Sequence, residues 1–285
     1  MKQTPSAEHP TSNIECRASK WDETTLVPPL ENALPDMMDL TILTNPINQN
    51  LIKIAVLCLG CVTVALGQHN QDELKQRILQ QAQAVSADDY AFTRTIRTES
   101  TSNGKTDQHV NVEKFDPTKR VEARWTLVSV DGTAPSADAL KTFQTDSGKR
   151  RIPGYHRLTS YFGTTATTST DPHGRTVFHF AALPKDVVKV MDTDVSQNTS
   201  ADASVSEANG APFVEQVHFT VRPMRLKLVM KLDGYASTAR YRIGPEGKPL
   251  LMEQTSDMSG SGLGKEGKIH TAVTYSDYRA VNKKS

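Results

Sequence analysis

The residues whose spacing comes closest to a known chemical motif form a glycine-rich run, Gly262-Leu263-Gly264-Lys265-Glu266-Gly267. The run matches G-x-G-x-x-G, but a dinucleotide site needs a strand before these glycines and a helix after them. The residues that follow, 268–273, have the alternation of a strand, and Ile269 stands where a phosphate loop needs a Ser or Thr for magnesium. We therefore predict a hairpin connection here and no cofactor.

The histidines are the second group of candidates. Seven of them follow residue 67: His69, His109, His156, His173, His179, His218 and His270. None forms H-E-x-x-H or another close ligand pair, so no metal site is predicted. His179 and His218 alternate with apolar neighbours, which favours solvent-facing or hydrogen-bonded positions on strands. The G-x-S-x-G nucleophile elbow is also missing. We predict no catalytic residue, although a triad assembled in space would leave no such trace.

Arg94 is the charged residue with the most informative position. It shares one face of a predicted strand with Tyr90, Phe92 and Ile96, and a charge that faces a core is costly unless it is paired. Two structural interpretations are open: a twist or bulge that moves Arg94 to the sheet edge, or an ion pair. A functional interpretation is also open, in which Arg94 lies in the mouth of an apolar cavity and holds a carbonyl or phosphate of an amphiphilic ligand.

The apolar face of the predicted sheet is the last candidate. Its large members are Phe92, Trp125, Phe178, Phe180, Phe219, Leu226, Leu228, Met230 and Tyr241. They form an ordinary core if the sheet is fully covered, or line a ligand groove if a curved sheet does not close. Methionine and aromatic side chains suit such a groove because they adapt to acyl chains. The predicted ligand-binding residues are Phe92, Arg94, Trp125, Phe178, Phe180, Phe219, Leu228, Met230 and Tyr241.

The elements that must position these residues follow from hydrophobic periodicity. Apolar residues spaced by three and four predict a helix from Gln71 to about Ser86, and a period of two begins at Tyr90. A turn at Asn103-Gly104 separates the first two strands, which run near 90–97 and 108–115. The second strand ends at Asp116-Pro117, and a third, near 124–130, ends at Asp131-Gly132. Five further strands form a C-terminal antiparallel meander with a hairpin turn at Asp233-Gly234.

The middle of the chain gives weaker signals. Ser136 is predicted to cap a short helix that extends to Phe143. Exposed loops are predicted at 149–151 and 164–170, a strand at 176–183, a helical turn from Leu183, and an edge strand with flanking loop in 192–211. The predicted fold class is α+β, mainly β, with a curved antiparallel sheet (an incomplete β-barrel) packed over the N-terminal helix and short helices.

An uncharged apolar run at residues 54–66 predicts export. Its 13 residues are too few to span a bilayer but suit a signal core, and Lys53 precedes it while Ala65-Leu66-Gly67 supplies a cleavage step. We therefore divide the chain into a disordered or misannotated leader (1–50, with translation starting at Leu51 as one possibility), a signal peptide (51–67) and a single β-rich domain (68–285).

Cysteine and charge agree with this division. The cysteines Cys16, Cys58 and Cys61 all precede residue 68, which leaves a cysteine-free domain for an oxidising compartment. Gly60-Cys61 offers an alternative, a lipoprotein whose Cys61 is acylated as a membrane anchor. Residues 68–285 contain 29 Lys and Arg against 25 Asp and Glu, a mild excess that argues against nucleic acid as a partner.

Together the signal segment, the helix from Gln71, the strand Tyr90-Ala91-Phe92-Thr93-Arg94 and the meander ending near Tyr278 resemble the LolA/LolB-like half-barrels, which are periplasmic lipoprotein carriers and their receptor. The resemblance spans most of the domain. It implies a curved sheet that binds acyl chains in an apolar cavity, with Arg94 compared to the family's first-strand arginine. The region from Lys149 to Asp171 departs from a minimal half-barrel.

The functional prediction is a periplasmic, non-catalytic protein that binds lipid or lipoprotein acyl chains, with no transmembrane span after residue 67. Two alternatives remain. One is a secreted or periplasmic hydrolase with a site assembled in space. The other is an envelope-stress sensor or scaffold that uses the sheet to contact an envelope protein.

Overall fold

A computed structural model describes residues 70–148, 150–228, 230–262 and 265–281. The predicted leader, the signal peptide and all three cysteines lie outside these residues. The first described element is helix α1 (residues 70–83), whose apolar stripe is the one that the periodicity predicts. Ile78 and Ala82 are fully buried and Leu74 and Leu79 partly so, because residues three and four apart share one side of a helix.

One antiparallel sheet dominates the fold. Its strands and those of a separate two-stranded ribbon (β6 and β7) are β1 (Tyr90–Ser102), β2 (Lys105–Phe115), β3 (Trp125–Val130), β4 (Thr167–Thr170), β5 (Thr176–Phe180), β6 (Lys189–Val190), β7 (Thr193–Asp194), β8 (Thr199–Ala208), β9 (Ala211–Val221), β10 (Met224–Lys227), β11 (Met230–Ile243), β12 (Pro249–Gly262) and β13 (Lys265–Ala280). A second helix, α2 (Ala137–Ser147), and three short 3-10 helices, Val121–Ala123, Tyr155–Ser160 and Ser196–Asn198, complete the described elements.

The order of strands across the sheet is β3-β2-β1-β13-β12-β11-β9-β8-β5-β4, with β10 paired to β11. The first and last strands of the sheet along the chain, β1 and β13, are neighbours in its interior, third and fourth from the β3 edge. The sheet curves without closing, so β3 and β4 are left as open edges. The predicted fold class, an incomplete barrel over helices, is confirmed.

Local turn chemistry sets the short connections. Asn103 and Gly104 both have positive φ (52° and 74°), as a two-residue β1–β2 hairpin requires. Asp131 and Gly132 repeat this geometry (50° and 78°) after β3. Ser136 caps α2 as predicted, because its Oγ accepts the Ala139 N–H at 3.2 Å.

The predicted hairpin turn at Asp233-Gly234 is wrong. Strand β11 continues through these residues, and the chain turns instead at Leu228, between β10 and β11. The register with β12 shifts between Leu232 and Gly234, so a β-bulge accommodates Asp233. Leu232 is buried in the core. Pairing with β12 and this burial outweigh the local preference of Asp-Gly for a turn.

The predicted edge strand in 192–211 is also wrong in its position. Strand β8 lies inside the sheet, between β9 and β5. Its inward residues are small, with Ala201 and Ala203 fully buried, while Asp202 and Ser204 point outward. A strand with small inward and polar outward residues resembles loop in composition. The predicted helical turn from Leu183 is a non-helical turn instead: Val187 N–H donates to the Pro184 carbonyl at 3.5 Å, and Asp186 has a positive φ of 64°.

The exposed loops predicted at 149–151 and 164–170 are only partly correct. Residues 164–166 are loop, with Thr165 exposed, but Arg150 is mostly buried and Thr167–Thr170 is strand β4. Residues 150–166, here called the wedge segment, enter the open side of the sheet and carry five buried residues, Pro153, Tyr155, Leu158, Tyr161 and Phe162. The region that departs from a minimal half-barrel is therefore part of the core.

Candidate functional site

The interior face of the sheet holds most of the predicted ligand-binding residues, divided into two aromatic clusters. The first lies on β1, β2 and β3. Phe92 contacts Phe115 (ring centroids 5.1 Å apart) and Trp125 (5.7 Å), and its other ring neighbours are on β13. All three of these side chains are buried, so this cluster is closely packed.

The second cluster joins the wedge segment to β5 and β9. Phe162 lies between Phe178 and Phe180, with both centroid distances 5.3 Å. Tyr161 contacts Phe180 at 5.4 Å and Phe219 at 5.7 Å. The alanines of β8 leave the room that these rings occupy. The wedge segment thus fills the space where a half-barrel would otherwise be open.

A small cavity remains between the wedge segment and the sheet, with a volume of about 40 Å³. Its lining includes Arg157, Tyr161, Phe219, Tyr241 and Gln254. A water molecule takes about 30 Å³ in the liquid, and ligand pockets run from about 300 Å³ upward. In this state the interior has room for a water molecule and none for an acyl chain.

The hydroxyl of Tyr161 is the unusual group of this cavity. It is buried and has no hydrogen-bond partner among the described residues. Burial raises the pKa of Tyr161 well above its usual value, so the group stays a neutral donor and acceptor. An unsatisfied buried hydroxyl costs about 1–3 kcal/mol, and buried polar groups without partners are rare in folded proteins.

Two other wedge contacts hold the segment closed. The Tyr155 hydroxyl donates to Gln81 Oε1 of α1 at 3.0 Å and accepts the Val214 N–H of β9 at 2.9 Å. Lys75 of α1 donates to the Thr164 carbonyl, and burial lowers the pKa of its amine. The wedge segment is therefore tied to both α1 and the sheet by polar bonds.

Arg94 is ion-paired. Its Nη2 lies 2.8 Å from Glu113 Oε2, and Arg150 Nη1 approaches Glu113 Oε1 at 2.9 Å. The guanidinium of Arg94 also stacks on Trp125, 4.0 Å from the ring centroid, and that of Arg150 stacks on Phe143 at the same distance. Of the interpretations left open by the sequence, the geometry matches an ion pair. Both guanidinium groups thus bond to the Glu113 carboxylate.

Leu228 and Met230 lie away from this interior. Leu228 forms the tip of the β10–β11 hairpin and is 95% exposed, and Met230 follows at the start of β11. The turn at Leu228 separates them from the second cluster, which contains Phe178 and Phe219, and from Tyr241, whose ring contacts Tyr155 at 5.2 Å. Sequence reasoning missed the wedge residues Tyr155, Tyr161 and Phe162, although their spacing with Leu158, Y-x-x-L-x-x-Y-F, is an apolar signal within a polar region.

The outer face of the sheet carries a different arrangement, which the sequence analysis did not predict. Ser169 Oγ lies 2.7 Å from His179 Nε2, and His179 Nδ1 lies 2.6 Å from Asp202 Oδ1. These residues come from three adjacent strands, β4, β5 and β8. On β9, His218 Nδ1 contacts Thr238 Oγ1 at 2.9 Å. Both histidines are hydrogen-bonded on strands, as their alternation predicted.

Within the described ranges, no group of His, Cys, Asp and Glu side chains has the geometry to hold a metal ion. The same ranges contain no helix with the length and apolar character needed to cross a membrane.

No protein-family model and no curated protein matches the sequence. Several solved structures are similar in fold. A LolA-superfamily protein from Nitrosomonas europaea matches with a TM-score of 0.33 and 13% identity, over 73% of this chain and 94% of that chain. A DUF1329 family protein from Desulfovibrio piger matches with a TM-score of 0.33 and 9% identity, over 75% and 94%.

A third structure, a domain described as that of an outer membrane lipoprotein-sorting protein from Vibrio parahaemolyticus, matches with a TM-score of 0.30 and 13% identity, over 74% of this chain and 95% of that chain. With TM-scores below 0.5 and identities of 9–13%, these matches show neither a family nor a function for this chain.

Proposed function

We propose that this protein is an exported binding protein for the acyl chain of a lipid or lipoprotein, which it holds between the interior face of the sheet and the wedge segment. The observation that carries the proposal is Tyr161, which belongs to the lining of the small cavity and whose buried hydroxyl has no hydrogen-bond partner among the described residues. The class of ligand follows from the sequence resemblance to LolA/LolB-like half-barrels.

A bound chain requires the wedge segment to move. The cavity of about 40 Å³ is an order of magnitude smaller than a typical ligand pocket, so a chain could enter only if the wedge segment moved away from the sheet. Wedge rings such as Phe162 occupy the apolar space that a chain would take. A ligand that binds only the open state shifts the population toward that state. Moving the wedge segment away breaks the hydrogen bonds of Tyr155 to Gln81 and Val214, and these bonds contribute to the free energy of opening.

The polar end of the ligand would lie at the cavity. The residues that line it include Tyr161, Gln254 and Arg157, whose side chains end in a hydroxyl, an amide and a guanidinium. An ester or amide carbonyl could accept the otherwise unsatisfied Tyr161 O–H, which turns an unfavourable buried group into a bonded one. The remaining walls, including Phe219 and Tyr241, are apolar.

Export rests on the sequence. The apolar run 54–66 followed by Ala65-Leu66-Gly67 is typical of a signal core and its cleavage site. We expect a periplasmic protein that begins near Gln68, or one anchored through an acylated Cys61. Mass spectrometry of the mature N-terminus separates these outcomes, and an intact N-terminus at residue 1 would contradict both.

Native mass spectrometry of the full chain, expressed with its leader and purified from periplasm, tests binding. The expected result is a co-purified mass of one acyl ligand that is reduced in Tyr161→Phe. A protein without ligand that also fails to bind added fatty acid or lipopeptide would contradict the proposal. A protein partner held through the outer face, with no lipid, would favour the sensor or scaffold alternative.

A further inference from the structure

Three side chains on the outer face of the sheet are connected in the order serine, histidine, carboxylate. His179 of β5 lies opposite Asp202 of β8 and opposite Thr167 of β4, and Ser169 is two residues further along β4. The two linking distances are 2.7 Å (Ser169 to His179) and 2.6 Å (His179 to Asp202). The inward neighbours Phe178 and Phe180 are buried, so these three residues face away from the proposed acyl site.

The partners determine where the imidazole proton lies. An ionised carboxylate only accepts hydrogen bonds, so His179 donates from Nδ1 to Asp202. Nε2 of the neutral ring is then an acceptor, and Ser169 Oγ donates its proton to it. This is the tautomer in which a histidine can take a proton from a serine, with a carboxylate that orients the ring.

The position of Ser169 on an edge strand adds a hydrogen-bond donor. Asp171 N–H bonds to the Arg175 carbonyl at 2.9 Å, and hydrogen-bonded pairs alternate along an antiparallel ladder. The pair Ser169–Val177 is therefore bonded, and the N–H of Thr170 points away from β5 toward the open edge. A backbone N–H directly after a nucleophile is a recurring donor to the oxyanion of an acyl-transfer intermediate.

We propose that Ser169 is a nucleophile, with His179 as its general base and Asp202 as the residue that positions the base, and that it accepts acyl groups from carboxylic esters in solution. The inference does not rest on the proposed binding function, because the two sites lie on opposite faces of the sheet.

The reaction balances without a cofactor. Ser169 Oγ bonds to the ester carbonyl carbon while its proton moves to His179 Nε2. Collapse of the tetrahedral intermediate breaks the bond from that carbon to the alcohol oxygen, and the departing alcohol takes the proton from His179. Water then attacks the acyl-serine with His179 as base, which releases the carboxylic acid and restores the serine.

Exposure defines the substrate class. The side chains of His179 and Asp202 are 38% and 52% exposed, and Ser169 is exposed. A site on an open surface gains little from binding a long chain or from excluding water. The substrates that fit are small esters with good leaving groups, such as aryl esters, and turnover is expected to be slow.

The chain provides its own controls. His270 bonds to Asp257 at 2.7 Å, a histidine–carboxylate pair without a serine hydrogen bond among the described residues. Ser276 is an exposed serine on β13 whose Oγ lies 3.2 Å from Asp277, and in the described part of the chain it has no histidine partner. If exposure or a carboxylate alone made a serine reactive, Ser276 would behave like Ser169.

A fluorophosphonate probe, which phosphonylates activated serines with loss of fluoride, tests the inference. The full chain is incubated with the probe, and modified peptides are mapped and timed by mass spectrometry. We expect one modification, at Ser169, that S169A abolishes, that H179Q slows by about 10²-fold and D202N by about 10-fold or more, and that S276A leaves unchanged. All four substitutions change exposed or half-exposed side chains, so the variants are expected to fold.

The pH profile separates chemistry from structure. The groups that face His179 are Ser169 on β4 and Asp202 on β8, with His218 opposite Asp202 on β9. Labelling should fall on acidification, and this dependence should disappear in H179Q. Labelling of Ser169 no faster than that of Ser276, or a rate that H179Q leaves unchanged, would overturn the inference. Lipid retention in S169A stays as in the unmodified chain, so the two proposals fail independently.

Discussion

Tyr155 and Tyr161 are two buried tyrosines of the wedge segment that differ in what their hydroxyls contact, and matched Tyr→Phe substitutions isolate this difference. The Tyr155 hydroxyl has two partners, Gln81 and the backbone N–H of Val214. The Tyr161 hydroxyl has none among the described residues. Both rings are buried and both substitutions remove one oxygen, so cavity effects are similar.

The expected magnitudes follow from these contacts. In Tyr155→Phe the buried N–H of Val214 loses its acceptor, which should lower the free energy of unfolding by about 1–3 kcal/mol. In Tyr161→Phe the removed group is unsatisfied, so the change should be within about 0.5 kcal/mol or slightly stabilising. Urea unfolding of ligand-free protein, with equal m-values for both variants, measures the two.

For ligand binding we expect the opposite order, in which Tyr161→Phe has the larger effect and Tyr155→Phe the smaller. If a ligand carbonyl accepts the Tyr161 O–H, Tyr161→Phe should lose about 0.5–1.5 kcal/mol of binding free energy, which is about 2- to 10-fold in the Kd of a fluorescent fatty-acid ester. Tyr155→Phe loosens the wedge segment and should bind the same probe at least as tightly as the unmodified chain. Equal losses of stability in both variants, or a Tyr161→Phe variant that binds normally, would refute the reasoning.

Three further predictions concern the rest of the fold. Glu113→Gln removes the carboxylate that bonds to two mostly buried guanidinium groups, and should lower the free energy of unfolding in urea by about 3–5 kcal/mol. A smaller loss would mean that the three charged groups are well solvated. Gly260→Ala places a Cβ about 2.6 Å from the Lys231 carbonyl oxygen, so the substitution should lower the midpoint of thermal unfolding. An unchanged midpoint would contradict the spacing of β11 and β12. A hydrogen bond from the Val110 N–H, and after it one from His109, lowers the pKa of Asp131. The ionised carboxylate therefore stabilises the fold above about pH 4, and this stabilisation is lost on acidification. In Asp131→Asn the free energy of unfolding, measured as a function of pH, should fall less steeply below that pH.

Local chemistry explains why part of the fold could be predicted from the sequence. The α1 stripe depends only on a spacing of three and four, and the Asn103-Gly104 turn only on two residues that tolerate positive φ. Asp233-Gly234 has the same local signal, but there β11 pairs with β12 across a bulge. The choice between a turn and a bulge is made by a strand elsewhere in the chain, which local patterns do not contain.

The sites depend on longer-range information. The wedge segment has polar composition on average, and its aromatic residues become core only because the alanines of β8 leave room opposite them. The contacts among Ser169, His179 and Asp202 depend on the registers of β4, β5 and β8, and a shift of one residue in any of them would separate the three. For Arg94, by contrast, the sequence correctly indicated that a partner was needed, without identifying Glu113.

The central claim is that an acyl chain lies between the wedge segment and the interior face of the sheet. Photo-crosslinking with a diazirine-bearing fatty acid, followed by peptide mapping, tests it most directly. The account predicts crosslinks to interior residues near Tyr161, Phe219 and Tyr241, competed by unlabelled fatty acid. Crosslinks confined to the exposed hairpin tip at Leu228 or to the outer face, or no crosslink above that of a denatured control, would contradict it.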